Sequence, residues 1–369
     1  MKALNKNLHK AKKAKNDEFY TQLSDIEKEL KHYKNHFKDK IVFCNCDDPF
    51  ESNFSQYFIK KFNDLRLKKL ILVSYKDSPI AGGYNTLFGL EGPKKKKIPN
   101  YSVVITKVDD EQVGGEFNEA MINELLRVEG NKKKKLKESG DFRSPESIEI
   151  LKKVDIVVTN PPFSLFREYV AQLIDYNKKF LIIGNMNAIT YKEVFKFIKE
   201  EKLWLGVYNN QSFVFKTPYT NDLEANRKFC IQKGYTNPHY VKVPAINWYT
   251  NLDHAKRHED IILVETYYGN KESYPTYDNY NAIEVNKVKE IPIDYKGIMG
   301  VPITFLDKYN PEQFEIIWQA CGNTRASAPQ EILNRLNYQQ HPEDRGGCGI
   351  INNERVYARF LIKNKKIQR

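Results

Sequence analysis

The run Val154-Asp155-Ile156-Val157-Val158-Thr159, followed at once by Asn160-Pro161-Pro162-Phe163, constrains this chain more than any other feature. A short β-branched run reads as a buried parallel strand. Two consecutive prolines then lock the backbone in an extended turn and remove two amide donors, so the strand ends there and nearby carbonyls lack ladder partners. The same alternation recurs on both sides. A helical stretch to about Phe37 precedes a strand at 41–45, a helix at about 52–65 and a strand at 69–74. After the turn come a helix at about 165–176, a buried strand at 180–184, a helix near 192–199 and a strand at 203–207. Repeated βαβ units predict an α/β fold with a doubly wound, mostly parallel sheet.

A carboxamide beside unladdered carbonyls suits a planar amine. The exocyclic amino group of adenine is a poor nucleophile because its lone pair is delocalised into the ring. If the Asn160 side-chain oxygen and the Pro161 carbonyl each accept one amino hydrogen, the nitrogen is drawn towards tetrahedral geometry and its lone pair can point at a methyl donor. Asn has no basic group, so it works by orientation and preorganised dipoles, and the proton leaves late. Phe163 is placed to stack on a base swung out of a duplex. A plain turn closing a strand is the competing description of the same four residues.

The chain has 369 residues, more than one core usually organises, so a large domain and a second module are expected. Aromatic residues make up 13% and apolar residues 41%, enough for a core, while the net charge of +12 favours a polyanionic partner such as nucleic acid. No run of about 18 uncharged apolar residues is present for a membrane span, and Met1-Lys2-Ala3-Leu4-Asn5-Lys6 lacks the apolar core of a signal peptide, so a cytoplasmic protein without a membrane partner is expected. Cys44, Cys46, Cys230, Cys321 and Cys348 are scattered, without paired spacing, which predicts reduced thiols. His32 with His36 and His254 with His258 have helical spacing but no third ligand, so no metal site is expected.

The organisation read from these patterns is a basic N-terminal arm at 1–16 and a core at 17–207 with an elaborated insertion at 76–140. Residues 208–369 hold the remaining sheet elements and an appended target-recognition region. The insertion carries lysine runs at Lys94 to Lys97 and Lys132 to Lys135 around a strand at about 101–108. Such runs are usually solvated faces, with a phosphate-backbone contact as the alternative. Further on, strands are expected at 212–215, 245–250, 297–305 and 356–362, and Asn310-Pro311 reads as a helix start. Arg325, Arg335 and Arg345 with Asn323, Thr324, Asn334 and Gln339 have the side chains that read base edges, or form an ordinary surface loop.

A methyl donor needs its own pocket at the carboxyl ends of adjacent strands. The first strand runs into Cys46-Asp47-Asp48-Pro49-Phe50-Glu51-Ser52-Asn53-Phe54, where Asp47 or Asp48 can hold the ammonium of S-adenosylmethionine and Phe50 can line the pocket. Asp141-Phe142 precedes the 154–159 strand by about one helix and offers a carboxylate and a ring for the donor's adenine. Either aspartate could equally be a helix cap.

Phe19-Tyr20-Thr21, Asp48-Pro49-Phe50, Asp141-Phe142-Arg143 and Asn160-Pro161-Pro162-Phe163 occur in the order found in adenine-specific DNA methyltransferases whose cofactor motifs precede the catalytic loop. More narrowly, the chain resembles the EcoRI modification methylase family. The resemblance is carried by Cys44-Asn45-Cys46-Asp47-Asp48-Pro49, Gly140-Asp141-Phe142-Arg143-Ser144, Asp155 to Phe166, Ile189-Thr190-Tyr191-Lys192-Glu193 and Gly300-Val301-Pro302-Ile303-Thr304. It covers about 1–75, 140–207, 250–318 and the last strand. It implies a Rossmann-like, S-adenosylmethionine-dependent enzyme that flips an adenine from double-stranded DNA and methylates its 6-amino group. Asn160, Pro161, Pro162 and Phe163 are then the catalytic loop. Asp48 and Phe50 take the methionine side of the donor, Asp141 and Phe142 its adenine side, and Tyr20 and Thr21 its amino-acid end. It also implies a monomer, with a cognate restriction endonuclease that forms no stable complex. Methyl transfer to another planar amine, on an RNA base or a protein glutamine, is the alternative. Glu51-Ser52-Asn53 stands where most relatives outside this family have the glycines of a tight cofactor turn.

Overall fold

The computed structural model describes residues 21–73, 100–217 and 223–367. The arm at 1–16, Tyr20 and the Lys94 to Lys97 run lie outside the described residues. The chain divides into two compact units, one from the residues up to Met186 together with Tyr208–Leu252, the other from Asn187–Val207 and Asp253 onward.

The centre of the first unit is a set of parallel strands. β1 (Ile41–Cys44), β2 (Lys69–Val73), β5 (Ile156–Thr159) and β6 (Lys179–Asn185) stand in the order β2-β1-β5-β6. All three pairings are parallel, with Val42 beside Ile156 and Phe43 beside Val157. Their apolar runs are continuous because both faces are covered. β3 (Tyr101–Ile105) and β4 (Lys132–Lys135) extend the β2 side antiparallel. β8 (Gln211–Lys216) and β9 (Tyr240–Thr250) pair antiparallel with each other, and β9 pairs antiparallel with β6. The result is the expected α/β sheet with a parallel centre.

Local sequence explains the flanking helices. Ser144 caps the helix Pro145–Lys153 by accepting the Ser147 amide, Pro145 fills its first position, and Lys152 and Lys153 sit at its carboxyl end. Ser52 caps Asn53–Lys60 in the same way through the Phe54 amide at 3.1 Å. Phe37, Phe58, Phe180, Tyr169, Trp248 and Tyr249 are fully buried around the sheet. The lysine run at 132–135 is an edge strand whose four side chains are all exposed, a common defence against edge-to-edge pairing.

In the second unit, which also holds the short strand β7 (Trp204–Leu205), β10 (Ala282–Glu284), β11 (Ile298–Pro302), β12 (Phe314–Ala320) and β15 (Arg359–Asn364) form a sheet in the order β10-β11-β15-β12. Between β12 and β15 in sequence, β13 (Ile350–Ile351) and β14 (Glu354–Arg355) make a small hairpin. The helix Lys192–Lys199 packs here, with Phe195 stacked on Phe360 at 5.7 Å and edge-on to Trp318 at 5.1 Å. Asn310-Pro311 does not start a helix. The Asn310 side chain accepts the Glu312 amide at 2.8 Å and donates to Asp260, closing a turn that leads directly into β12.

The arginine-bearing stretch is largely committed to this unit. Arg335 makes a two-pronged ion pair with Glu315 at 2.7 and 2.8 Å. Asn323 bonds the Thr190 carbonyl, and Thr324 is buried with its hydroxyl on the Gln319 carbonyl. Arg325 and Arg345 remain exposed. The histidine pairs are likewise structural in their contacts: buried His254 faces the Leu205 carbonyl and His258 faces Asp253. Among the described residues no group of three His, Cys, Asp or Glu side chains is arranged to hold a metal. No described helix is long and apolar enough to cross a membrane.

Candidate active site

β1 and β5 are parallel neighbours, so the loops at their carboxyl ends open side by side. These are the segments 45–52 and 160–165. Asn160 is half-buried, Pro161 buried, and Pro162 and Phe163 half-buried, with the Phe163 ring edge-on to Phe215 of β8 at 6.4 Å. A single 3-10 turn, Phe163–Leu165, leads into the helix Phe166–Asp175. That helix lies close on β6 because residue 184 is glycine: a Cβ there would come within 2.5 Å of the Phe166 ring.

The loop after β1 separates its two aspartates. Asp47 is 4% exposed and turned inward. Its Oδ1 accepts the Ser52 hydroxyl at 2.7 Å, its Oδ2 accepts the Thr159 hydroxyl, and the Asn160 backbone amide also donates to it. Burial pushes its carboxyl up to about 6 despite these bonds. Asp48 is only half-buried. It accepts the Phe50 amide at 2.8 Å and the Tyr101 hydroxyl at 3.3 Å. Burial raises its pKa as well, opposed by the Phe50 and Tyr101 hydrogen bonds and by nearby Lys133. Glu51, two residues past Pro49, is raised to about 7 by burial and by Asp48, against the pull of Lys216.

Aromatic rings line the same mouth. Phe50 is edge-on to Tyr101 at 5.6 Å, and the Lys133 ammonium lies 4.7 Å from the Phe50 ring centre and 4.3 Å from that of Tyr101. Thr21 is buried, its carbonyl accepting from Asn53 at 2.7 Å, and its hydroxyl has no hydrogen-bond partner among the described residues.

Asp141 and Phe142 are arranged differently. The Asp141 carboxylate accepts the backbone amide, Nε and Nη2 of Arg143 at 2.8, 2.9 and 2.7 Å, which holds its pKa below the usual carboxylate value. Phe142 is 4% exposed, edge-on to Tyr169 at 4.9 Å. Its carbonyl accepts from Gln172.

A family model described as adenine-specific methyltransferase EcoRI matches residues 7–365. The chain belongs to this family. It is 45% identical to the type II methyltransferase M.EcoRI of Escherichia coli, over the whole chain and 99% of that protein. It is 37% identical to the type II methyltransferase M.MpnI of Mycoplasma pneumoniae, over 97% of this chain and 98% of the relative. No solved structure matches it. Membership of the EcoRI family makes the chain an adenine-specific methyltransferase, a transferase enzyme whose relatives are modification enzymes.

For this methyltransferase the structure gathers Asn160, Pro161, Phe163, Asp47, Asp48 and Phe50 at the carboxyl end of the parallel strands. Thr21 is tied to the same loop through Asn53. Sequence reasoning missed four groups. In the sequence Glu51 stands out only as a departure from glycine, and Tyr101 only as the start of a strand. Lys133 stood in a run read as solvated. Thr159 was the last residue of a strand. Tyr101 and Lys133 reach the site only through antiparallel pairings on the β2 side, which the sequence pattern does not specify. Ser52 was legible in principle, as a hydroxyl residue at a helix start.

Proposed function

We propose that this enzyme transfers a methyl group from S-adenosylmethionine to the 6-amino group of an adenine flipped out of double-stranded DNA at a specific site. Asn160 and the Pro161 carbonyl accept the two amino hydrogens, and Phe163 stacks on the extruded ring. The observation that carries this reading is the placement of Asn160-Pro161-Pro162-Phe163 at the end of β5, next to a β1 loop rich in under-compensated negative charge.

The residues present fit the donor. Asp48 and Glu51 are two carboxylates raised by burial, and bringing a cation to them relieves that cost. The buried Thr21 hydroxyl offers a further polar contact for an amino-acid group. Bound there, S-adenosylmethionine supplies the electrophilic methyl on its sulfonium. Asp48 would hold the donor's ammonium and Phe50 would cover its methionine side. Asp141 and Phe142 are assigned to its adenine side, where their segment would contribute mainly backbone, since the ring is packed in the core. Tyr20 and Thr21 are assigned to its amino-acid end.

With the donor bound, transfer to the amino nitrogen would break the methyl–sulfur bond and leave S-adenosylhomocysteine, and the part of Asn160 and Pro161 would be to keep the nitrogen lone pair aligned. The positive charge that develops on that nitrogen is stabilised by both oxygen dipoles, and a proton leaves afterwards to water. We assign the chemistry to 17–207, with 76–140 as an insertion, and the remaining sheet elements together with target reading to 208–369. A cognate restriction endonuclease is expected to share the target without a stable complex, the enzyme acting as a monomer in the cytoplasm.

The test offers radiolabelled donor to duplex DNA, RNA and protein separately. Label is expected in DNA, on N6 of adenine; label only in RNA or on glutamine would overturn the reading. Asn160→Ala removes one amino-hydrogen acceptor and should lower kcat by about 10²-fold or more while donor affinity, read by calorimetry, is retained. Unchanged turnover would remove Asn160 from the mechanism.

A further inference from the structure

Asp47 performs no step in the mechanism above, and its contacts are those of a brace. One carboxylate oxygen holds Ser52, whose hydroxyl in turn caps the helix Asn53–Lys60. The other holds Thr159, the last residue of β5, and the Asn160 amide joins them. These donors converge from two chain segments more than a hundred residues apart in sequence, and with 4% exposure little of the side chain is open to a ligand.

We propose that Asp47 is a positioning residue for methyl transfer, fixing the Asn160 loop against the donor loop, and that it is not itself a donor ligand. This rests on the assignment of Asn160 as the acceptor of the adenine amino group. The hydroxyls of Ser52 and Thr159 and the Asn160 N–H all donate towards the ionised carboxylate. A protonated Asp47 carries a donor of its own into that set, so a hydroxyl must turn from donor to acceptor and the charge-assisted grip on the Asn160 loop weakens. In a site where reacting atoms must meet at about 3–3.5 Å, small displacements cost rate before they cost affinity.

The charge state matters for the same reason. Cys44, Cys46 and Asp48 face Asp47 from its own strand and loop, and Tyr169 faces it from the helix Phe166–Asp175. Asp141 in turn faces Cys46. With its carboxyl raised to about 6, Asp47 is ionised at neutral pH and becomes protonated as the solution is acidified through that value. The rate constant kcat should therefore fall on the acid side, with donor affinity unaffected by this group.

The experiment compares wild type with Asp47→Asn, Thr159→Val and Thr159→Ser in the full chain, measuring kcat against pH and donor Kd by calorimetry. Asp47→Asn should lower kcat about 10- to 100-fold, keep donor Kd within about threefold, and remove the acid limb near pH 6. Thr159→Val should lower kcat by about tenfold, whereas Thr159→Ser, which keeps the hydroxyl, should stay within about twofold. These two keep the test informative should Asp47→Asn fold poorly. A donor Kd that rises as much as kcat falls would make Asp47 a ligand and overturn the proposal. Unchanged kcat in Asp47→Asn and Thr159→Val, with an active wild type, would overturn it too. An inactive wild type would instead sink the functional reading, and this proposal with it.

Discussion

Glu51 is the residue through which solution pH should reach donor binding. Its carboxyl, at about 7, is mostly protonated at pH 6 and mostly ionised at pH 7.5. The raised value means that burial and Asp48 penalise the charged form, so a sulfonium brought beside it favours ionisation and expels a proton. Donor affinity should therefore strengthen several-fold from pH 6 to 7.5, and Glu51→Gln should flatten that dependence. A Kd independent of pH in the wild type would separate Glu51 from the donor. At this scale the sequence pointed to Asn160, Pro161 and Phe163 because the chemistry proposed for them is local, written in four consecutive residues. It did not reveal what Asp47 does, because its partner Thr159 is 112 residues away and the hydrogen bond exists only once β1 and β5 are paired. Asp47 and Asp48 look alike in sequence; the direction in which each side chain leaves the β1 loop separates them.

Among the elements, the turn from β5 into the helix Phe166–Asp175 is held in place by contact with β6. Gly184 leaves the space that the Phe166 ring fills, and that ring also meets Tyr249 of β9, with ring centres 4.8 Å apart. Gly184→Ala inserts a methyl group 2.5 Å from the ring. Overpacking of this kind should destabilise the protein by about 1–3 kcal/mol, measured by urea denaturation, and should reduce kcat more than donor affinity because Phe166 adjoins the turn proposed to hold the target adenine. Unchanged stability would show that the helix shifts freely on the sheet. The parallel strands were legible because their β-branched runs are short, buried and followed by caps. Of the antiparallel additions, β3 falls in the strand expected at 101–108, but β4 was not legible: four consecutive lysines carry no strand signal, and β4 forms because β3 offers an unpaired edge. The turn at Asn310 was misjudged for a related reason. Asn before Pro is compatible with a helix start, but here the Asn side chain closes the turn on its own backbone before β12 begins.

For the whole molecule, the net charge of +12 predicts that affinity for duplex DNA falls steeply with salt. Released counterions give a linear fall of log K with log salt, at about 0.9 per neutralised phosphate, so binding should drop by orders of magnitude between about 50 and 200 mM. A flat profile would place the positive charge away from the DNA. Fold class and reaction class were readable from the first half of the chain because βαβ alternation and the Asn160-Pro161-Pro162-Phe163 turn both lie there. The second unit was legible only in part: the strands expected at 297–305 and 356–362 are β11 and β15, but β10, β12 and the strand order were not readable, since the sheet joins strands from 282 to 364 through long polar connections.

That sheet also has a consequence for how the protein is made. β15 is the last of its strands in sequence yet occupies an interior place, between β11 and β12, and Arg359 at its start supplies the guanidinium that bonds buried Glu284 on β10. Until the ribosome releases residues 359–364, the earlier strands have a gap at their middle and a carboxylate without its counter-charge. The second unit cannot close its sheet before that strand has been made, and a premature stop anywhere before Arg359 should leave a chain for proteases rather than a slower enzyme.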